Sequence, residues 1–162
     1  MANFTRDGVV ATFWRTSSMM EVGPNFSAAE KDEKRKATFK FMLSNGTADK
    51  TYNKDSKTYF NMEYQELYSF IIRAEHLAKN FFTSDKEVEK ITVFHKYNDE
   101  NKVLSISPGK DGKSIIVALS KGDSYYRIVM DVIDFKYFLF TLKKILYFMT
   151  TNTLVGFTNN WI

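Results

Sequence analysis

Two segments of the chain repeat apolar residues at the spacing of an amphipathic helix. The first runs from Tyr64 to Phe82 and the second from Asp134 to about Met149. In each segment the apolar positions recur at i, i+3, i+4 and i+7, which places them on one face of a helix. Aspartate is a good N-cap residue, so we place the start of the second helix at Asp134. The sequence therefore predicts two helices, each packed through an apolar face.

The segments that precede each helix have the character of β-strands. Val9 to Arg15 is rich in β-branched and aromatic residues, and Lys36 to Ser44 alternates between two faces, as a half-buried strand does. Turn sequences such as Asn45-Gly46 and Asp111-Gly112 separate neighbouring strands and predict hairpins. The remaining predicted strands are Thr51-Tyr52, Thr58–Phe60, Ile91–Tyr97, Lys102–Ser107, Ser114–Ser120 and Ser124–Asp131.

The order of these elements is several strands, one helix, four strands and one helix. Runs of hairpins closed by a helix indicate an α+β fold with antiparallel sheets rather than alternating βαβ units. We expect a single domain over 1–162, made of two sheet–helix halves at 1–82 and 83–149 and a C-terminal tail at 150–162. The segment from Ser17 to Lys36 contains Gly23-Pro24 and a charge run, and it is predicted to be a mobile loop.

The composition argues against most catalytic and metal chemistry. The 162 residues include no cysteine, which excludes thiol catalysis and cysteine-bound metals, and only two histidines, His76 and His95. The chain lacks the motifs of phosphate loops, dinucleotide-binding folds, serine hydrolases and zinc proteases. Pro108 to Lys113 superficially suggests a phosphate loop, but it lies between two predicted strands and is better explained as a hairpin. We therefore expect no enzyme, no cofactor and no metal site.

The charge of the chain suits an anionic partner without demanding one. There are 23 basic and 19 acidic residues, which give a formal net charge of +4. The longest apolar stretch, near 135–149, is interrupted by three lysines and is too short to span a bilayer. No apolar region of the kind found in signal peptides follows the charged start of the sequence. These features predict a cytoplasmic protein without a membrane segment.

Lysines and aromatic residues are interleaved on the predicted strands. A sheet that packs helices on one face leaves its other face to solvent. Exposed rings on such a face can stack bases while lysine and arginine bind phosphates, a combination suited to single-stranded nucleic acid. An ordinary solvated face with extended lysine side chains would show the same pattern. The residues placed on the solvent face are Lys36, Thr38, Lys40, Met42, Tyr59, Tyr125 and Arg127.

Several motifs, in the right order over about residues 36–160, resemble the Whirly proteins. In that family a basic, aromatic strand leads into a helix that carries a glutamate followed by an aliphatic residue. The second half of the family's sequence contains a Phe-Phe-His stretch, a Leu-Ser-Ile-Lys-Pro strand and an Asp-Gly hairpin. The family's Lys-Gly-Lys-Ala-Ala-Leu motif of the first strand has no match here. The segments that carry the resemblance are Lys57–Ile71, Phe94–Tyr97, Leu104–Pro108, Asp111–Ser120, Phe135–Phe148 and Gly156–Asn159.

The resemblance implies two antiparallel four-stranded sheets, each followed by a helix, a fold shared with the positive-cofactor-type transcriptional coactivators. It also implies a tetramer that binds single-stranded DNA with little sequence preference, with bases between rings at sheet edges. A compact, lysine- and asparagine-rich version resembles a phage or bacterial protein, which would act in the bacterial cytoplasm. We therefore expect a role in DNA replication, recombination or protection of exposed strands.

Ten residues are candidates for contacts with nucleic acid. An oligomeric protein-interaction module, or an RNA-binding protein of the same fold, would fit the same residues, because a stacking sheet need not reject the 2′-hydroxyl. The predicted phosphate ligands are Lys36, Lys40, Lys57, Lys102, Lys113 and Arg127. The predicted stacking residues are Phe13, Trp14, Tyr59 and Tyr125.

The second predicted helix is apolar nearly all round. Tyr137, Phe140, Tyr147 and Phe148 lie opposite its core-facing side. A helix of this kind is buried on more than one side, and soluble monomers rarely expose such patches. We expect these four residues to form the interface of a symmetric homo-oligomer, with a tetramer as the expected state. In a monomer, the closing segment Phe157 to Trp161 would cover part of the patch.

Overall fold

Two antiparallel four-stranded sheets, each followed by a helix, make up the structure. It is a computed structural model, and it describes residues 9–25, 38–45, 57–83, 87–97 and 99–159. The first sheet has the order β1 (Ala11–Trp14), β2 (Ser18–Asn25), β3 (Thr38–Asn45), β4 (Lys57–Met62), and helix α1 (Tyr64–Thr83) follows it. The second sheet has the order β5 (Ile91–Tyr97), β6 (Glu100–Pro108), β7 (Ile115–Lys121), β8 (Ser124–Met130), and helix α2 (Val132–Asn159) follows it. The predicted fold class is confirmed.

One apolar core joins both sheets to both helices. Alternate residues of each strand point inward, so that Phe39, Phe41 and Leu43 of β3 are fully buried. The ring of Phe41 lies 5.7 Å from that of Phe70 on α1 and 6.0 Å from that of Phe138 on α2, measured between centroids. The alternation read from the sequence of β3 therefore correctly assigns its core face.

Strand β2 occupies part of the segment that was predicted to be a loop. Val22 pairs with Phe41 and Pro24 pairs with Phe39, so the strand runs through the Gly23-Pro24 dipeptide that suggested a turn. Strand β1 pairs with β2 only as far as Val22. Pro24 therefore lies at an edge, where its missing N–H breaks no ladder. Residues 26–35 of that predicted loop, the predicted strand Thr51-Tyr52 and the candidate Lys36 lie outside the described residues.

Helix α2 begins earlier and ends later than its sequence pattern predicts. The backbone N–H of Asp134 donates a hydrogen bond of 2.8 Å to the Asp131 carboxylate, so Asp131, not Asp134, is the cap. The helix continues to Asn159, beyond Met149, and takes in most of the predicted C-terminal tail. The Thr150 hydroxyl donates to the Leu146 carbonyl oxygen at 2.9 Å, which satisfies this polar group within the helix. Within the described residues, neither helix combines the length and the apolar character that a membrane crossing requires.

The two sheets meet where β8 contacts β2 and β3. Arg15 Nε donates to the Val129 carbonyl oxygen at 2.7 Å, and Asn45 Nδ2 donates to the Tyr125 carbonyl oxygen at 3.1 Å. Arg15 also forms an ion pair with Asp134 at the start of α2. Side chains from the end of the first sheet thus hold the edge strand of the second.

A second link between the sheets involves His95. Its ring stacks on Phe60 of β4 with a centroid distance of 4.3 Å and an interplanar angle of 19°. Its Nε2 lies 2.8 Å from the Glu66 carboxylate on α1. His95 therefore packs β5 against the first sheet and α1, which is a structural role.

The hairpin between β6 and β7 is held by Asp111. Its carboxylate accepts hydrogen bonds from the backbone N–H groups of Lys113 and Ser114, both at 2.9 Å, and from the Ser114 hydroxyl at 2.8 Å. These bonds hold the pKa of Asp111 below its usual value. Gly112 has a φ of 69°, a left-handed conformation that favours glycine. The predicted hairpin is confirmed at this position.

Candidate nucleic-acid interface

Each sheet has an outer face, formed by the alternate residues that do not point into the core. On the first sheet the outer positions form rows of cross-strand partners, and one such row is Thr12, Glu21, Met42 and Tyr59. Lys40 and Lys57 flank this row on the same face. The sequence placed Lys40, Met42 and Tyr59 on one face, and the register agrees.

Tyr59 lies between two lysines. The Nζ atoms of Lys40 and Lys57 are 5.6 Å and 5.5 Å from the centroid of the Tyr59 ring, within the range of cation–π contact. The ring is 37% exposed. A hydrogen bond with the Tyr59 side chain raises the pKa of Lys57, which favours its charged form. The structure thus brings a partly exposed aromatic ring and two cations together.

Lys102 reaches this group from the second sheet. Its Nζ donates a hydrogen bond of 2.9 Å to the carbonyl oxygen of Tyr59, on the edge strand β4. Burial, together with the charge of nearby Lys121, lowers the pKa of Lys102. Lys121 itself pairs with Glu100 at 3.3 Å. We call Lys40, Lys57, Tyr59 and Lys102 the Tyr59 cluster.

Met42 has the predicted orientation but is not exposed. It shares the outer face with Lys40, yet only 3% of its surface is accessible. Its cross-strand neighbours are Glu21 and Tyr59, one on each side. The expectation of solvent exposure was wrong, because a flexible apolar side chain can pack down onto the sheet between its neighbours.

Phe13 cannot stack a base, in contrast to its predicted role. It is 5% exposed, and its ring lies 5.7 Å from Tyr137 and 5.9 Å from Phe138 of α2. Trp14, the next residue, points to the outer face and is 57% exposed. Because successive strand residues alternate between faces, only one of the two rings could have faced solvent.

The outer face of the second sheet carries a further pair of exposed rings. Phe94, Val103, Ser120 and Tyr125 form one row of register partners across all four strands. The rings at its two edges, Phe94 and Tyr125, are 59% and 54% exposed, while the two side chains between them are small. Arg127 is exposed in the neighbouring row. The two exposed rings thus lie at opposite edges of the sheet, with a guanidinium in the neighbouring row.

Phe94 is a candidate that the sequence reasoning missed. In β5 the residues Ile91, Val93 and His95 pair with inward positions of β6, which puts Phe94 on the outer face. The same alternation is visible in the sequence, where it could have identified Phe94 as exposed.

The two sheets repeat one arrangement of outer residues. The first strand of each sheet carries an exposed ring, Trp14 or Phe94, two residues after a threonine. The third strand of each sheet carries a serine at the matching outer position. The matching rows are Trp14, Met19, Ser44, Lys57 and Phe94, Val103, Ser120, Tyr125. The two rows thus match in the ring of the first strand and the serine of the third, and differ at the other two positions.

Lys113 lies apart from the other candidates. It occupies the hairpin after β6, whereas Lys102 lies near the beginning of β6, so the length of the strand separates them. The structure therefore brings together four of the ten predicted residues in the Tyr59 cluster, and Tyr125 and Arg127 on the second sheet. In the described part of the chain, no group of acidic or histidine side chains has the arrangement of a metal site.

The outward side of α2 is apolar. Tyr137, Phe140, Tyr147 and Phe148 are all exposed in the protomer. Lys144 Nζ lies 5.0 Å from the centroid of the Phe140 ring. Their predicted position opposite the core face of the helix agrees with the structure, and their role as an interface stays a prediction.

Solved structures of plant proteins share this architecture. WHY3 from Arabidopsis thaliana has a TM-score of 0.66 and 15% identity, with 94% of each chain covered. The plant transcriptional regulator PBF-2 has a TM-score of 0.68 and 16% identity, with 98% of this chain and 90% of that chain covered. The chain has a Whirly-like fold. WHY1 from Arabidopsis thaliana adds a TM-score of 0.65 at 15% identity, over 93% of this chain and 90% of that chain.

The Whirly-like fold was expected from short motifs in the sequence, and the structural comparison confirms that resemblance. No family model and no curated protein sequence matches the chain. At 15–16% identity the likeness establishes the fold.

Proposed function

We propose that this protein binds single-stranded DNA with little sequence selectivity. The observation that carries the proposal is the Tyr59 cluster, where a partly exposed ring has two lysine ammonium groups within 5.6 Å of its centroid. A base stacks on such a ring without regard to its identity, and the cations bind the adjoining phosphates. Trp14, Tyr125 and Phe94 supply further stacking surfaces, with Arg127 as a phosphate ligand.

The geometry favours single strands over duplex DNA. Proteins that recognise base sequence in the major groove insert a helix or a two-stranded ribbon into it. Here the apolar faces of α1 and α2 that meet the sheets are buried in the core, and the Tyr59 cluster, Trp14, Phe94 and Tyr125 lie on strands. Rings on a sheet reach base faces only when the bases are unpaired. One protein of similar fold, PBF-2, is a plant transcriptional regulator, which supports a nucleic-acid partner.

The protein acts without catalysis, in replication, recombination or protection of exposed strands. It assembles as a homotetramer, with the outward side of α2 inside and the sheets outside. The exposed rings of Tyr137, Phe140, Tyr147 and Phe148 support this assembly, because patches of this kind usually mark interfaces. Its setting is the bacterial cytoplasm, as a phage or bacterial protein.

A gel-shift series tests the proposed function. The probes are oligo-dT, duplex DNA and RNA of equal length, each at several salt concentrations. Much tighter binding to oligo-dT than to duplex is expected, with a log–log salt slope of several units, because bound counterions are released. Equal affinity for duplex, or binding that ignores salt, would overturn the proposal and favour a protein partner. Equal affinity for RNA would extend the ligand to RNA.

A further inference from the structure

Glu21 is the one acidic side chain on the described outer face of the first sheet. It belongs to the row that ends at Tyr59, with Met42 between the two residues. Its carboxylate forms no hydrogen bond or ion pair with the described residues, although its charge adds to the effect of Tyr59 in raising the pKa of Lys57. An acid in a face suited to phosphate binding reduces the attraction for DNA, and this calls for an explanation.

Glu21 and Tyr59 lie two strands apart in one row, with Met42 between them. Neighbouring strands lie about 4.8 Å apart, so the backbones of Glu21 and Tyr59 are about 10 Å apart. Met42 is almost fully buried. A base stacked on the Tyr59 ring and extending over Met42 would have its outer edge on the side of Glu21.

We infer that Glu21 selects the base held at Tyr59, favouring cytosine over thymine. An ionised carboxylate only accepts hydrogen bonds. Cytosine offers it the N4 amino group, whereas thymine presents the O4 oxygen at the same place. Repulsion between that oxygen and the carboxylate disfavours thymine. This inference rests on the proposed function and adds a bias in base composition to otherwise unselective binding.

The test compares oligo-dC and oligo-dT of about 15 nucleotides, a length within the site sizes of single-strand binders. Fluorescence anisotropy at neutral pH measures both affinities. The wild type is expected to bind oligo-dC about tenfold more tightly, within the range of one specific base contact. Glu21→Gln is expected to bring the ratio close to one, because the amide also donates to thymine O4. Glu89→Gln, which removes the same charge from an exposed position before β5, should keep the wild-type ratio.

The outcomes separate this inference from the proposed function. Tight, equal binding of both strands by the wild type, or an unchanged ratio in Glu21→Gln, overturns the role of Glu21 and leaves single-strand binding intact. A uniform gain for both strands in Glu21→Gln would show that the carboxylate merely repels phosphates, which also overturns it. Weak binding of both strands by the wild type overturns the proposed function itself. Glu21→Asp keeps the charge on a shorter side chain and should lower the ratio without changing the salt slope.

Discussion

The Nζ of Lys102 lies 2.9 Å from the carbonyl oxygen of Tyr59, and the hydrogen bond between them joins the two sheets. Lys102 belongs to β6 and Tyr59 to β4, the edge strand of the first sheet. The backbone at Tyr59 is therefore held in position by a residue of the other half of the chain. Lys102 contributes to the candidate interface as a positioning residue as well as a positive charge.

Replacing Tyr59 by alanine is expected to weaken binding of single-stranded DNA by about 1–3 kcal/mol, the value of one stacked base. Because Tyr59 is partly exposed, the thermal melting temperature should change little. Anisotropy titrations and a melting curve measure the two effects. Tyr68→Ala is the control, since Tyr68 is an exposed tyrosine on α1, away from both outer faces. A sharp fall in melting temperature for Tyr59→Ala would instead assign the ring to the core.

The lysines of the Tyr59 cluster should act on the salt dependence of binding. Lys40→Ala and Lys57→Ala are each expected to reduce the log–log salt slope by about one unit, since each removes one phosphate contact. Titrations at four or more salt concentrations give the slope. Lys79→Ala, an exposed lysine on α1, should leave it unchanged. A reduction of the same size in Lys79→Ala would show that the salt slope depends on the net charge of the protein and not on contacts at the Tyr59 cluster.

Phe13 and Trp14 should respond to alanine substitution in opposite ways. Phe13→Ala removes a buried ring that contacts Tyr137 and Phe138, and a loss of about 3–5 kcal/mol in the free energy of unfolding is expected. Trp14→Ala should lower stability less than Phe13→Ala, because Trp14 is 57% exposed, but it should weaken DNA binding by about 1–3 kcal/mol. Denaturant titrations and anisotropy separate the effects. Similar stability losses for both variants would contradict the alternation of faces in β1.

The outward side of α2 is the predicted oligomer interface. Light scattering of the wild type at micromolar concentration should give several times the protomer mass of 18.9 kDa. Phe140→Asp combined with Phe148→Asp should lower it towards the protomer mass, because the new charges would be buried without partners. The β-sheet signal in circular dichroism should remain. A wild-type mass near 19 kDa would refute the proposed assembly.

Acid should abolish the contribution of Asp111 to stability. Its pKa is lowered in the folded chain, so this contribution is present above the usual aspartate pKa, near 3.8, and is lost as the pH falls through the lower folded value. Asp111→Ala should therefore melt below the wild type at neutral pH, and the difference should shrink on acidification. Asp123→Ala, which removes an exposed aspartate in the β7–β8 turn, is the control for the loss of one negative charge.

The spacing of apolar residues and the positions of turn-forming residues predicted most of the fold. Ile91–Tyr97 coincides with β5, and the first helix differs from α1 by a single residue at its end, because clear alternation and helical spacing dominate there. The failures have local causes. Strand β2 was not predicted, because Gly23-Pro24 suggests a turn. The proline is tolerated there because β1, the strand on that side of β2, pairs only as far as Val22. The cap of α2 was misplaced because Asp131 and Asp134 lie three residues apart and either could cap.

The candidate interface was only partly predictable. The sequence identifies which residues share a face within one strand, so Lys40 and Tyr59 were placed correctly. It does not specify how the two sheets meet, and the approach of Lys102 to Tyr59 depends on that arrangement. Phe13 was misassigned because both it and Trp14 are aromatic. Which of the two faces the core depends on how the short strand β1 pairs with β2.

The contacts of Arg15 and Asn45 with β8 bear on how the protein behaves at high concentration. A bare edge strand can pair with a strand of another molecule and start cross-β aggregation. On β8, side-chain donors already occupy the carbonyl oxygens of Tyr125 and Val129. An incoming strand would have to break both bonds before it could add to the sheet. The same contacts that join the halves of the chain thus make β8 a poorer template for an added strand.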